Sequence, residues 1–193
     1  MNAIYRFEQP VYASFNADVT LAEDNDNELR ATLTTFGNKD SYGDIIDPGA
    51  LDTWMKDNAG KDLPMLFGHD TKEIIGKWNG LEKMVRKFKA KGSLYKDFIA
   101  RAGEVYGLLK ASAIKGVSIG FKPLDYEFWE EKDDFGILWK EIELLEASIV
   151  LFPANNRAQV DQIKARHRQE MQVKRLERFD DQTLNELKRR LRK

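Results

Sequence analysis

The chain has 193 residues, 42% of them hydrophobic, and a formal net charge of −1, a size that suits one domain with a real core plus an appendage. It contains no cysteine, which excludes disulfides, thiolate metal ligands and thiol nucleophiles, so nucleophilic chemistry would have to use oxygen. Because no apolar run reaches the ~18 residues of a membrane span and the start lacks a secretory-signal pattern, we expect a cytoplasmic protein without a membrane partner.

The first half of the chain is predicted to be mainly β-structure. Residues 11–21 alternate apolar and polar side chains, which indicates one half-buried strand. Residues 28–37 form a second β-favouring run after a polar turn, so we expect an antiparallel hairpin. A loop rich in Asp and Gly precedes a short helix within residues 49–58. Three further short strands are predicted, in residues 63–69, 73–80 and 81–92.

The second half combines one helix, a long hairpin and a charged tail. Apolar residues recur at spacings of three and four between Leu94 and Lys110, at Leu94, Phe98, Ala102, Val105 and Leu109, which predicts a helix with one buried face. Two long β-favouring stretches, residues 118–130 and 135–152, flank a charged turn and should pair antiparallel. After about Asn156 we expect two amphipathic helices, the last one starting with a capping box at Thr183.

The tail carries most of the positive charge. Residues 164–193 hold eleven basic and five acidic side chains, a net charge of +6 that leaves −7 for the rest of the chain. Such a tail can bind an acidic partner or nucleic acid, or can simply be a solvated helical surface. Aromatic side chains are not interleaved with its basic residues, so nucleic-acid binding is not favoured.

Three polar residues lie in apolar, strand-like contexts: His69 in PMLFGHDTKEIIG, Ser118 in IKGVSIGFKP and Glu146 in ELLEASIVLFPANNRA. The segment around Ser118 matches the G-x-S-x-G pattern of a nucleophile turn. In an α/β-hydrolase, however, a helix follows that serine and the histidine comes later in the chain. Here His69 comes first and β-like residues follow Ser118. The residue order therefore excludes an α/β-hydrolase, and Ser118 is either a nucleophile or a small residue in a turn.

His69 is the candidate base because the only other histidine, His167, lies in the charged tail. A structural histidine at a strand end is the alternative. Glu146 shares a strand face with Ser148 and needs a partner if buried, either as the orienting carboxylate or in an ion pair; Glu143 and Asp44 are alternative carboxylates. Asp70 should point away from His69 on an extended chain. With one credible histidine and no cysteine, neither a metal nor a cofactor is expected.

Together, SYGDIIDPGAL, LPMLFGHD with the later IIG, GVSIGF and LLEASIVLFPANNRA resemble the prohead serine proteases of tailed bacteriophages, a family distantly similar to the herpesvirus assembly protease. The resemblance implies an α+β fold: a closed, mostly antiparallel β-barrel surrounded by helices. We expect a protease domain in residues 1–160 and a charged helical tail in residues 161–193.

The resemblance also implies a serine endopeptidase with Ser118 as nucleophile, His69 as base and Glu146 as the orienting carboxylate. It places oxyanion-binding backbone N–H groups at Ala154 or Asn155, although the chain lacks the paired arginines of the herpesvirus enzymes. The implied substrates and partners are scaffold, the scaffolding segment of the major capsid protein and the protease itself, inside assembling proheads in the host cytoplasm. The similarity to the herpesvirus enzymes also makes a second copy of the chain, in a homodimer, a candidate partner. The alternative is a non-catalytic capsid-assembly component with a protease-like fold.

Overall fold

The computed structural model describes residues 7–13, 17–22, 28–40, 42–131, 134–151 and 160–175. The described residues up to Leu151 belong to one compact unit, and residues 160–175, a single helix, belong to a second. The strands of the first unit are β1 (Val11–Ala13), β2 (Asp18–Leu21), β3 (Glu28–Thr35), β4 (Ile45–Ile46), β5 (Leu63–Phe67), β6 (Asp70–Lys83), β7 (Lys87–Leu94), β8 (Gly116–Glu131) and β9 (Asp134–Val150). Its helices are α1 (Asp52–Asp57) and α2 (Ala100–Lys110).

Seven of these strands close into a barrel. Their order is β8, β2, β3, β7, β6, β5 and β9, and β9 returns to pair with β8. Neighbours in the ring are antiparallel except β5 and β9, which run parallel. Closure leaves no unpaired edge between ring strands. β1 and β4 lie outside the ring, on β8 and β9 respectively. The predicted closed, mostly antiparallel barrel is confirmed.

Six of the seven ring strands contribute large apolar side chains that are fully buried. Fully buried members include Leu29, Leu33, Met65, Trp78, Phe88, Ile119, Phe121 and Trp139. The indole N–H of Trp78 donates to the carbonyl of Ala147 over 2.8 Å, so this buried polar group is satisfied. On β8 and β9 the buried Ile119 and Ala147 mark one face, and alternation places their neighbours in sequence on the other.

Several predicted boundaries were wrong because tertiary pairing overrides local pattern. Residues 11–21 contain two strands, β1 and β2, rather than one; residues 14–16 lie outside the described part. The strands predicted in residues 73–80 and 81–92 divide instead at residues 84–86, since β6 continues to Lys83. Gly80 does not end the strand but has φ +51° beside a register shift between Asn79 and Glu82, which is where a β-bulge uses glycine.

The helix predicted between Leu94 and Lys110 is shorter than expected. Leu94 ends β7, where it pairs with Gly76, and α2 begins only at Ala100. Phe98 is 88% exposed, whereas Ala102, Val105 and Leu109 form the buried face. The spacing of Leu94 and Phe98 thus continued a helical pattern by coincidence.

The long hairpin and the first tail helix agree with the sequence. β8 and β9 pair antiparallel from Gly116 opposite Val150 to Glu131 opposite Asp134. Residues 160–175 are helical, and the last predicted helix, from Thr183 onward, lies outside the described residues. None of the described helices combines the length and apolar character needed to cross a membrane.

Candidate active site

The candidate site lies on the outward face of the β8–β9 hairpin. Ser118 is opposite Ser148, and Gly120 is opposite Glu146. The intervening pair, Ile119 and Ala147, is fully buried. Because side chains alternate between the faces of a strand, the two serines, Glu146 and the bare backbone of Gly120 share the other face. Ser118 therefore lies inside a strand and not in a turn.

A β-bulge in β9 turns Glu146 to this face. Just before the bulge, the buried residues of β9 have even numbers, Ile142 and Leu144. After it, the apolar residues buried on the same face have odd numbers, Ala147 and Ile149. The pairing shifts at this point, so Leu145 has no partner across the strand and is 38% exposed. With strict alternation from Leu144, the carboxylate of Glu146 would point into the apolar core.

Gly120 leaves room for that carboxylate. A Cβ atom at position 120 would collide with Glu146 Oε1 and would lie 2.9 Å from Tyr12 Cε1. Tyr12 itself is opposite Gly120 on the other side, because β1 pairs with β8. The absence of a side chain at Gly120 thus lets a carboxylate and an aromatic ring approach the same stretch of backbone.

His69 is carried by the turn between β5 and β6. β5 runs parallel to β9 with Leu66 opposite Ser148, and Gly68 N–H donates to the carbonyl of Ile149 over 3.1 Å. Both turn residues, Gly68 and His69, have φ +64°. The left-handed conformation is uncommon for a residue with a side chain, although histidine adopts it more often than most. The turn brings His69 beside the outward face of β9.

The imidazole, the carboxylate and a serine form a hydrogen-bonded cluster. His69 Nδ1 lies 2.6 Å from Glu146 Oε1, and Ser148 Oγ donates to Glu146 Oε2, also over 2.6 Å. Ser148 Oγ in turn accepts the backbone N–H of His69 over 3.0 Å. Both oxygens of the buried Glu146 therefore have partners, as a buried carboxylate requires.

Tyr12 packs against the imidazole. The two ring centroids are 4.2 Å apart and the ring planes are tilted by 40°. Burial raises the pKa of the Tyr12 hydroxyl, and the negative charge of Glu146 raises it further. The ring covers one face of His69, so Tyr12 and Glu146 together limit the orientations open to the imidazole.

The two atoms that the predicted chemistry would use, Ser118 Oγ and His69 Nε2, are both buried and available for hydrogen bonding. Within the described part of the chain, neither Ser118 Oγ nor His69 Nε2 has a hydrogen-bond partner, so the two are not bonded to each other. Ser118 is nonetheless directly opposite Ser148, whose hydroxyl contacts both His69 and Glu146. The cross-strand register thus brings the nucleophile candidate to the edge of the His69–Glu146 cluster.

The other candidate residues are engaged elsewhere or lie outside the described part. Asp70 is exposed and accepts the backbone N–H of Lys72. The carboxylate of Asp44 accepts the backbone N–H of Ile137. A carboxylate oxygen of Glu143 lies 3.8 Å from the amine nitrogen of Lys122. Among the described residues no group of three or more His, Asp or Glu side chains could hold a metal ion. Ala154 and Asn155, the predicted oxyanion donors, fall outside the described ranges.

Three residues of the candidate site were not singled out from the sequence: Ser148, Tyr12 and Gly120. Ser148 shared a predicted strand face with Glu146, and that pattern could have identified it as a neighbour of the carboxylate. Tyr12 was one of five polar-face residues of residues 11–21 and carried no distinguishing signal. Gly120 was noted only as part of G-x-S-x-G, whereas the structure shows that it makes space for Glu146.

Comparison with known proteins gives relatives of one kind. The chain is 31% identical over 139 residues to the prohead protease of Enterobacteria phage HK97, covering 68% of this chain and 58% of that protein. It is 33% identical over 132 residues to the prohead protease of Escherichia phage T5, covering 66% and 59%. The aligned part thus spans about three-fifths of each relative's length.

The fold and the family model agree with these relatives. The capsid assembly protease of bacteriophage T4 superposes with a TM-score of 0.51 at 8% identity, covering 74% of this chain and 94% of that one, which is a likeness of fold alone. The family model described as caudovirus prohead serine protease matches residues 15–174. That match takes in both strands of the hairpin and the His69 turn. The chain belongs to the caudovirus prohead serine protease family, as its motifs predicted.

Proposed function

We propose that this protein is a serine endopeptidase of prohead maturation in which Ser118 is the nucleophile, His69 the general base and Glu146 the carboxylate that orients it. The observation that carries the proposal is the 2.6 Å hydrogen bond between His69 Nδ1 and Glu146 Oε1, next to a serine held by cross-strand register. A base oriented by a third group beside a hydroxyl is the arrangement that activates a serine.

The direction of the His69–Glu146 bond determines the chemistry. An ionised Glu146 can only accept a hydrogen bond, so in this proposal Nδ1 carries the proton and the lone pair of the neutral imidazole resides on Nε2. Nε2 can then take the proton of Ser118 as Oγ attacks the scissile carbonyl, and return it to the leaving amine. His69 then takes a proton from a water molecule, which attacks and hydrolyses the acyl-enzyme. Glu146 stabilises the imidazolium that forms in each step.

For the reaction, Ser118 Oγ and His69 Nε2 have to approach each other, and both atoms have to become accessible to the substrate. Ser118 Oγ and His69 Nε2 are buried and not hydrogen-bonded to each other. Catalytic hydrogen bonds are often long or poorly aligned until a substrate is bound. A peptide can reach Ser118 only after the residues that cover it move. For the oxyanion we retain the backbone N–H groups of Ala154 and Asn155, on the family resemblance alone.

The names of the relatives support a proposal for the substrates and partners. The relatives are named prohead proteases and the T4 neighbour is named a capsid assembly protease. We assign as substrates the scaffold, the scaffolding segment of the major capsid protein and the protease itself, cleaved inside assembling proheads in the host cell. A serine, an imidazole and a carboxylate are sufficient for this hydrolysis, so we assign no cofactor.

The basic tail has a separate role in this proposal. Residues 1–160 would form the protease domain, and residues 161–193 would attach it to capsid subunits through their charge. Deleting residues 172–193 should then reduce the amount of protease packaged in proheads and leave cleavage of a free peptide unchanged. Normal packaging of the truncated protein would contradict this role.

Intact-mass analysis of co-expressed capsid protein tests the proposed activity. The capsid protein of the same virus is expressed with wild-type protease, with Ser118→Ala, or with Ser112→Ala as a matched control in an exposed turn. Defined truncation products should form with the wild type and the control, and none with Ser118→Ala. Equal processing by Ser118→Ala would exclude this nucleophile. No processing by any variant in assembled capsids would favour a non-catalytic assembly component.

A further inference from the structure

One buried side chain in the cluster has no part in the proposed reaction. Ser148 is fully buried on β9, two residues beyond Glu146. Its hydroxyl donates to Glu146 Oε2 over 2.6 Å and accepts the backbone N–H of His69 over 3.0 Å. Ser148 thus contacts both His69 and Glu146. Its bonds use Glu146 Oε2 and the His69 backbone N–H, so Glu146 Oε1 and His69 Nδ1 still bond to each other.

We propose that Ser148 is a positioning residue that locks His69 and Glu146 into their reactive geometry, an inference that rests on the proposed function of that pair. Four groups form a closed ring: the His69 backbone N–H, the Ser148 hydroxyl, the Glu146 carboxylate and the His69 imidazole. Each bond in the ring limits the movement of the next. The ring couples the backbone of the base to the side chain that orients it.

The carboxylate needs this lock because its terminal torsion is soft. Rotation of a glutamate carboxyl group about its last bond has broad, roughly two-fold preferences, unlike the staggered torsions before it. A hydrogen bond to Oε2 selects the rotation that presents Oε1 to His69 Nδ1. Charge-assisted bonds of this kind are shorter and stronger than neutral ones. Without Ser148, Oε2 would be left buried beside the barrel wall with no described partner.

The turn needs the lock because its backbone is strained. His69 adopts φ +64°, a conformation that costs a non-glycine residue free energy and persists only where its surroundings maintain it. Its N–H donates to Ser148 Oγ, and the preceding N–H, of Gly68, donates to the carbonyl of Ile149. Both bonds attach the turn to β9. Loss of the first would free the residue that carries the imidazole.

A small hydroxyl fits this position for a steric reason as well. Ser148 is directly opposite Ser118, and the Cβ atoms of opposite residues in antiparallel strands are about 4.5–5.5 Å apart. A longer donor such as asparagine would occupy the space beside the nucleophile. Serine is small enough for this space and is both a donor and an acceptor through one atom.

Two readouts separate positioning from general support of the fold. The first is kinetic: on a peptide containing a mapped cleavage site, Ser148→Ala should lower kcat about 100-fold, because a misplacement of about 1 Å has an effect of that size, and leave KM within about threefold. The second is the NMR signal of the His69 Nδ1 proton in ¹⁵N-histidine-labelled Ser118→Ala protein. We expect a low-field resonance that Ser148→Ala shifts upfield or removes.

The outcomes are distinguishable from a failure of the proposed function. Ser118→Ala retaining cleavage would disprove the nucleophile, yet the proton resonance would still report on the lock. A folded Ser148→Ala protein with wild-type kcat and an unchanged resonance would overturn the positioning role. If the alanine variant does not fold, Ser148→Cys fills similar space with a weaker hydrogen-bonding group, and the same two results decide. Ser112→Ala should change neither readout.

Discussion

Substituting alanine for Gly120 should uncouple Glu146 from His69 while the barrel remains folded. A Cβ atom there would collide with Glu146 Oε1, lie 3.1 Å from its Cδ and lie 2.9 Å from Tyr12 Cε1. The backbone at Gly120 does not have a positive φ, so alanine adds no conformational strain of that kind. The collision with the carboxylate is therefore the main effect of the substitution.

The size of the effect follows from this collision. To regain ordinary van der Waals contact, the carboxylate has to move by roughly 1 Å, which lengthens its 2.6 Å bond to His69 Nδ1. A displacement of that order lowers turnover about 100-fold, and complete loss of the orienting carboxylate lowers it about 10⁴-fold. Crowding in a packed site costs about 1–3 kcal/mol of stability, less than the ~5–15 kcal/mol of a typical domain.

Peptide cleavage and thermal unfolding, measured together, test this reasoning. Gly136→Ala is the matched control for crowding, because its Cβ would collide with the backbone of Gly43 at the far end of the β8–β9 hairpin. It should lower stability and leave kcat within about threefold at temperatures where it is folded. Gly107→Ala, in open space on α2, should raise stability by about 0.5–1 kcal/mol. A folded Gly120→Ala protein with wild-type kcat/KM would refute the reasoning.

Two further substitutions test the charge and the covering ring of the site. Glu146→Gln retains the shape but not the charge, so kcat should fall by about 10²–10⁴-fold with little change in KM; wild-type kcat would exclude an ionised partner for His69. Burial and the Glu146 charge raise the pKa of Tyr12 above its ordinary 10.0, so the folded state retains this proton longer than the unfolded chain. Stability should therefore fall as pH rises above about 10, and Tyr12→Phe should reduce that slope in urea unfolding; equal slopes in both proteins would contradict this.

The sequence predicted the hairpin well and the barrel only through family resemblance. β8 and β9 are long β-favouring runs on either side of a charged turn, so local pattern was sufficient to pair them. Closure depends instead on β9 pairing with β5 as well, for example Ser148 with Leu66, some 80 residues away. Periodicity within a segment carries no information about which distant strand it meets.

The candidate site was predictable as residue types but not as an arrangement. Scarcity indicated His69, a motif indicated Ser118, and strand alternation placed Glu146 and Ser148 on one face. That face becomes the outward one only because a bulge at Leu145 reverses the alternation of β9. The bulge itself has no clear local signal, since Leu144 and Leu145 are equally suited to the core. The left-handed backbone conformation of His69 could not be predicted either, because a histidine in the sequence does not by itself indicate a positive φ.

The distribution of the site over the fold gives β9 two tasks. Ser118, Glu146 and Ser148 are carried by paired strands, so register determines their spacing, whereas His69 is carried by a turn. A turn is the more deformable support, yet the proton transfer proposed for Ser118 depends on where the imidazole of His69 lies. Two hydrogen bonds to β9, at Ile149 and Ser148, attach that turn. One strand thus presents the carboxylate of Glu146 and holds the backbone of the proposed base, so a change in β9 would affect both at once.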